Sequence, residues 1–275
     1  MDSRTAIITL TTDFGYSDPF VGIMKGAILC IAPDLQIIDL NHGIPAQDIR
    51  AAALNLAASV DYFPQGTIHV AVVDPGVGSE RRPILIHSAG HYFVGPDNGL
   101  FSFALKDNQS SLIVHLSNEA YFLQPKSRTF HGRDIFAPVA AHLARGVPAT
   151  EFGSPSKDCV SLRWPVVERA GEFIVGEVLY IDRFGNLFTN IQERDLTGVA
   201  REKIRIHFKE FKIEGLSQNY AGRDKHTYIA LVNSWGLVEI ARYNDNAASR
   251  SGAKIGDEVR VELPTLEIRS PGGVP

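Results

Sequence analysis

Cysteine is scarce in this chain of 275 residues: Cys30 and Cys159 lie in unrelated segments with no CxxC spacing, which excludes a disulfide framework and a zinc knuckle. Both are read as small core residues. Long apolar runs are also missing, the longest being 68–73 with His69 inside it, much too short to span a bilayer. No charged start with an apolar stretch behind it marks a signal peptide, so the expected location is cytoplasmic, with no membrane partner. Lys and Arg are dispersed and the net charge is -4 with a pI of 6.1, which argues against a nucleic-acid partner. No HExxH or paired-ligand spacing points to a metal site, so none is expected. A Gly-x-Ser-x-Gly elbow and a P-loop ending in Gly-Lys-Ser/Thr are absent too, which disfavours a serine hydrolase and a nucleoside triphosphate site.

With 44% apolar and 21% charged residues, the composition is that of a folded globular protein. Residues 7–11 form a β-branched run, 12–15 a turn, and 20–32 carry apolar residues at helical spacing. The order repeats with a strand at 36–40, an alanine-rich helix at 48–60 and a mostly apolar strand at 67–73. Further strands are read at 84–87, 92–94 and 112–116, and a closing helix at 134–145. Alternating strands and helices predict a three-layer α/β domain with a mostly parallel sheet over residues 1–165. Beyond Trp164-Pro165 the pattern becomes strands at 172–181, 203–208, 227–232, 236–242 and 258–263 with little helix between them, a mainly β domain over 171–265. The Pro- and Gly-rich tail from Pro264 is expected to be loosely held.

In an open parallel sheet, ligands bind beyond the carboxyl ends of strands, so polar residues there are the first candidates. Asp13 follows the first strand; it either accepts hydrogen bonds from a ribose diol or caps the next helix. Asp74 opens Asp74-Pro75-Gly76-Val77-Gly78, either a ligand-hugging loop or a simple turn. Asp182 ends the first strand of the second domain. His131, just ahead of a helix, reads as a base or as a structural residue.

Five ordered motifs sharpen this reading: Thr11-Thr12-Asp13-Phe14-Gly15, Val73-Asp74-Pro75-Gly76-Val77-Gly78, Gly95-Pro96-Asp97-Asn98-Gly99, Phe130-His131-Gly132-Arg133-Asp134 and Ile181-Asp182-Arg183-Phe184-Gly185-Asn186. Together they resemble the S-adenosylmethionine hydroxide adenosyltransferases, a superfamily shared with fluorinases and chlorinases. The resemblance implies an α/β domain, a β-barrel-like C-terminal domain, and a homotrimer with active sites between neighbouring subunits. It implies S-adenosyl-L-methionine as substrate and no further cofactor. Asp13 would hold the ribose hydroxyls, Asp182 the methionine ammonium, Ser234 its carboxylate and Asn186 the adenine edge. Tyr220 falls near the position of a ring that covers adenine, and reads equally as an exposed barrel tyrosine.

Two departures accompany the resemblance: Gln47 replaces the tryptophan, and Trp235 the arginine, of halogenating relatives. Halogenases carry tyrosine at the Asp74 position and serine at the Gly132 position, whereas hydrolases carry the Asp, Arg and His matched here by Asp74, Arg81 and His131. A carboxylate beside a halide is repulsive, while water needs a proton acceptor and a cation. The expected catalytic set is therefore Asp74, Arg81 and His131, with Arg81 keeping Asp74 ionised, Asp74 orienting His131, and His131 or Asp74 accepting the proton. Arg82 competes with Arg81 by one position. The rival readings are a chlorinase-like halide transferase and a non-catalytic adenosine or S-adenosylmethionine binder.

Overall fold

The computed structural model describes residues 6–105, 111–221 and 224–263, and divides the chain into two units at Arg163/Trp164. The tail expected to be loose from Pro264 lies outside the described residues.

In the first unit the strands are β1 (Ile7–Thr12), β2 (Gln36–Asn41), β3 (Ile68–Val72), β4 (Pro83–Ser88), β5 (His91–Pro96), β6 (Leu112–Leu116) and β7 (Gly153–Ser156), in the order β2-β1-β3-β5-β4-β6-β7. β2, β1, β3 and β5 pair in parallel, and β4, β6 and β7 join by antiparallel pairing. β6 points the same way as the parallel four, so the sheet is mostly parallel with β4 and β7 reversed. Helices α1 (Phe20–Ile31) and α3 (Ala137–Ala144) cover one face, where Met24, Ile28, Val139 and Ala140 meet Leu10, Val70 and Val72. α2 (Ile49–Ala57) buries Ala52, Ala53 and Leu56 outside that cluster, which gives the third layer.

Local chemistry sets the element ends. Asp48 caps α2, its carboxylate accepting from Ala51 N at 2.8 Å. The helix expected to reach residue 60 stops at Ala57, because the Ser59 hydroxyl donates to the Asn55 carbonyl at 2.7 Å and the chain tightens into a 3-10 turn at Val60–Tyr62. The helix expected from residue 134 begins instead as a π turn at Gly132–Phe136. Cys30 is exposed on α1, against the core placement expected of it.

The second unit holds β8 (Glu168–Ala170), β9 (Phe173–Ile181), β10 (Leu187–Gln192), β11 (Arg205–Phe208), β12 (Phe211–Glu214), β13 (Tyr228–Val232), β14 (Leu237–Arg242), the short α4 (Ala247–Ser251) and β15 (Glu258–Glu262). Antiparallel pairing runs β12-β11-β15-β9-β10-β14-β13, with β8 added on β9. The two ends of this path approach each other where Ser217 N donates to the Ala230 carbonyl at 2.7 Å, so the sheet is a nearly closed barrel. Ile174, Val178, Leu187, Ile206, Phe208, Ile240 and Val261 fill it.

Candidate active site

β3 is buried along its whole length and delivers Asp74 past Val73 at its carboxyl end. The loop that follows doubles back at Gly78, whose φ is +77° and where a Cβ would stand 2.3 Å from the Arg128 carbonyl oxygen, so only glycine fits. That turn returns Arg81 to Asp74. Arg81 Nε donates to Asp74 Oδ1 at 2.9 Å and Oδ2 at 3.0 Å, and Nη2 also donates to Oδ2. The two side chains are only 9% and 5% exposed, so the pair is largely desolvated. Phe136 lies under the guanidinium at 5.3 Å.

Arg81 Nη2 also reaches His131 Nδ1 at 2.8 Å. A guanidinium can only donate, so Nδ1 is the acceptor and the neutral imidazole carries its proton on Nε2. Burial, and then the charge of Arg81, lowers the His131 pKa below its ordinary value and favours this neutral form. Arg81, rather than Asp74, is thus the residue bonded to His131, which corrects the expected order of contacts. Arg82 turns away: it donates to Asp97 at 2.8 Å and Ser156 at 3.1 Å and staples the loop to β7.

Asp13 lines the same cleft of about 420 Å³ as Asp74 and His131, together with Gln47, Phe14 and Phe130. Its helix-cap alternative is excluded, since α1 starts after Pro19 with no side-chain cap. Instead Asp13 Oδ2 accepts from Gln47 N at 2.8 Å. Behind it runs a chain that sequence reading missed. Thr12 Oγ1 bonds His42 Nδ1 at 2.7 Å, His42 Nε2 bonds Asp39 Oδ1 at 3.1 Å, and Lys25 donates to Asp39 Oδ2 at 2.7 Å.

Asp182, Asn186, Ser234 and Tyr220 gather separately, in a pocket of about 850 Å³ in the barrel unit. Asp182 Oδ1 accepts from Phe184 N at 2.9 Å and Asn186 N at 2.8 Å, which shapes the turn between β9 and β10. Asn186 Nδ2 donates to Asp182 Oδ2 at 3.1 Å, so its Oδ1 is the end left to accept. Trp235 packs into a cluster with Tyr180 and Phe188, at 5.7 and 4.9 Å between ring centres, and brings no cation to the pocket. Glu239, unpicked by sequence reading, also lines this pocket and accepts the Tyr220 O–H at 2.8 Å. Among the described residues no group of three or more His, Cys, Asp or Glu is placed to hold a metal ion.

Comparison with known proteins identifies the family. The family model of the SAM hydroxide adenosyltransferase N-terminal domain matches residues 8–153, and that of the C-terminal domain matches 176–260. The (R)-S-adenosyl-L-methionine hydrolase of Methanocaldococcus jannaschii is 36% identical, the match covering 94% of this chain and 97% of the relative. A fluorinase of Nocardia brasiliensis is more distant, at 27% identity over 95% and 98% of the two chains. The crystal structure of an uncharacterized conserved protein from Thermotoga maritima superposes with a TM-score of 0.86 at 35% identity, covering 92% of this chain and 99% of that one. On these matches, the chain belongs to the SAM hydroxide adenosyltransferase family.

Proposed function

We propose that this protein hydrolyses S-adenosyl-L-methionine, in the (R) form named for its curated relatives, to adenosine and L-methionine. The observation that carries the reading is the Asp74–Arg81–His131 set, joined by hydrogen bonds, with Asp74 and His131 facing the same cleft as Asp13. Water oxygen bonds to ribose C5′ as the C5′–S bond breaks in line, and the electron pair leaves on sulfur as a neutral thioether. The sulfonium is already an activated leaving group, so the scheme calls for no general acid, metal or cofactor on the departing side.

With Nδ1 accepting from Arg81, the Nε2–H tautomer of His131 sets the roles within the set. His131 Nε2–H is the donor that holds the water oxygen and stabilises the developing hydroxide, and the Arg81 charge acts from behind through its bonds to Asp74 and His131. Asp74 is the acceptor of the three and takes the proton. A carboxylate there repels halide, and a Cβ at Gly132 would stand 3.1 Å from Met24 Sδ, so the serine of halogenases does not fit without a shift. Asp13 Oδ1 is assigned to the ribose hydroxyls. Asp182 is assigned to the ammonium, Ser234 to the carboxylate, Asn186 to adenine and the Tyr220 ring to its face. In this reading the protein is a cytoplasmic homotrimer with active sites between neighbouring subunits. Among the described residues no helix is long and apolar enough to cross a membrane.

Chromatography of purified protein incubated with each sulfonium epimer, with and without chloride, tests the function. Adenosine and methionine formed independently of chloride are expected. Chlorinated adenosine would move the chain to the halide transferases, and binding without turnover would make it a sensor.

A further inference from the structure

His42 follows directly on β2 and is buried, and the chemistry assigned above does not use it. Its hydrogen bonds can be given a direction. Asp39 is a carboxylate that accepts from Lys25, so His42 Nε2 carries a proton and donates to its other oxygen. Burial lowers the His42 pKa and favours the neutral ring, which leaves Nδ1 as an acceptor. The Thr12 hydroxyl therefore donates to Nδ1, and its oxygen accepts from Phe14 N at 3.2 Å. The main chain of His42 takes a second hold, its carbonyl accepting from Gly15 N at 2.8 Å. Residues on both sides of Asp13 are thus tied to one histidine, directly or through Thr12. Five residues further on, Gln47 N holds Asp13 Oδ2.

We propose that His42 is a positioning residue for the reaction, holding the loop of residues 12–15 so that Asp13 Oδ1 meets the ribose hydroxyls in the cleft. Phe14 packs on Phe20 and Phe130 at 5.9 and 6.0 Å between ring centres, which presses the loop down without giving it a direction. The hydrogen bonds through His42 supply the direction, and their burial keeps water from competing for them. His42 is not among the residues that line the cleft, so its influence on the substrate passes through Asp13. The inference rests on the ribose assignment of Asp13. Because the reacting C5′ belongs to that ribose, a tilted carboxylate would carry the carbon out of line with water and sulfur. A misplacement of about 1 Å is enough to cost on the order of 10²-fold in rate.

Turnover of the sulfonium substrate, beside calorimetric titration of the full chain with adenosine, 2′,3′-dideoxyadenosine and L-methionine, tests the role. The wild type is expected to favour adenosine over the dideoxy analogue by roughly 10²-fold, and Asp13→Ala to abolish that preference. Thr12→Val keeps the side-chain shape and removes the hydroxyl, and His42→Leu removes the ring. Each should lower kcat by about ten to 10²-fold and narrow the ribose preference at least about tenfold, with methionine binding unchanged. His42→Asn offers an amide oxygen near the place of Nδ1 and should restore most of both. Added to Asp13→Ala, Thr12→Val should change the ribose preference no further. Lower denaturant midpoints with kcat and the preference intact would make His42 a merely structural residue and overturn the proposal. Losses that add in full to those of Asp13→Ala would overturn it too. Silent Thr12 and His42 variants beside a damaged Asp13→Ala sink this inference alone, whereas an Asp13→Ala that keeps the ribose preference sinks the ribose assignment with it.

Discussion

In the N-terminal cleft the charged groups are already bound to one another: Arg81 grips Asp74 with two nitrogens and reaches His131 with one of them, leaving Nη1 over. In the barrel pocket Asp182 is held from behind by turn amides and in turn holds the Asn186 amide, whose Oδ1 is left to accept. The first pattern suits chemistry, where charge must be in place before water attacks. The second suits recognition, where the ligand supplies the missing hydrogen bonds. Removing a residue from the cleft should therefore cost turnover, and removing one from the pocket should cost selectivity.

The sharpest way to break this contrast is at adjacent arginines. Arg81→Ala removes the link between Asp74 and His131 and should lower kcat by about 10² to 10³-fold, the scale of losing a transition-state donor. Arg82→Ala loosens the Asp97 staple and should cost roughly 1–3 kcal/mol of stability with kcat little changed. Steady-state kinetics beside urea melts of both variants would separate them, and equal kcat losses would dissolve the distinction.

Acid offers a second route. His69 is buried in the sheet between Thr9 and His91, and burial, helped by the charge of His91, lowers its pKa to about 3. Below the ordinary value of 6.5 the unfolded chain binds a proton that the folded one refuses. This histidine's share of stability therefore falls with pH by roughly 1.4 kcal/mol per unit down to about 3. Denaturant midpoints at pH 7 and pH 5 should converge for His69→Gln relative to the wild type; parallel losses would show that His69 takes up the proton in the folded state as well.

A smaller effect is expected at Gly78→Ala, where the positive φ and the Arg128 carbonyl oppose a side chain. Roughly 1–3 kcal/mol of destabilisation should accompany a drop in kcat, because the loop that returns Arg81 must shift. Loss of stability with kcat intact would mean that the loop does not position Arg81.

Sequence reading reached the cleft because its parts follow strong local signals: β3 is an unbroken buried run, and Asp74 and Asp13 stand directly past strand ends. It missed β10, whose Thr189 and Asn190 break the apolar pattern. Both are buried on hydrogen bonds to neighbouring strands, Thr189 to the Val238 carbonyl at 2.8 Å and Asn190 Oδ1 from Glu177 N at 2.7 Å. Glu239 escaped for a related reason. Between Val238 and Ile240 the alternation of a strand assigns it to solvent, and only the folded pocket shows that its face is buried. The contact between Thr12 and His42 spans 30 residues, a separation over which local pattern says nothing. The contact order among Asp74, Arg81 and His131 likewise needed coordinates, because spacing can name the members of a set but not which one stands in the middle.

Turnover of the sulfonium substrate in water enriched in heavy oxygen, followed by mass analysis of both products, tests the central claim most directly. Attack by water at C5′ predicts adenosine carrying one heavy oxygen at its 5′ position and unlabelled methionine. Unlabelled adenosine, or label in an amino-acid or one-carbon product instead, would contradict it.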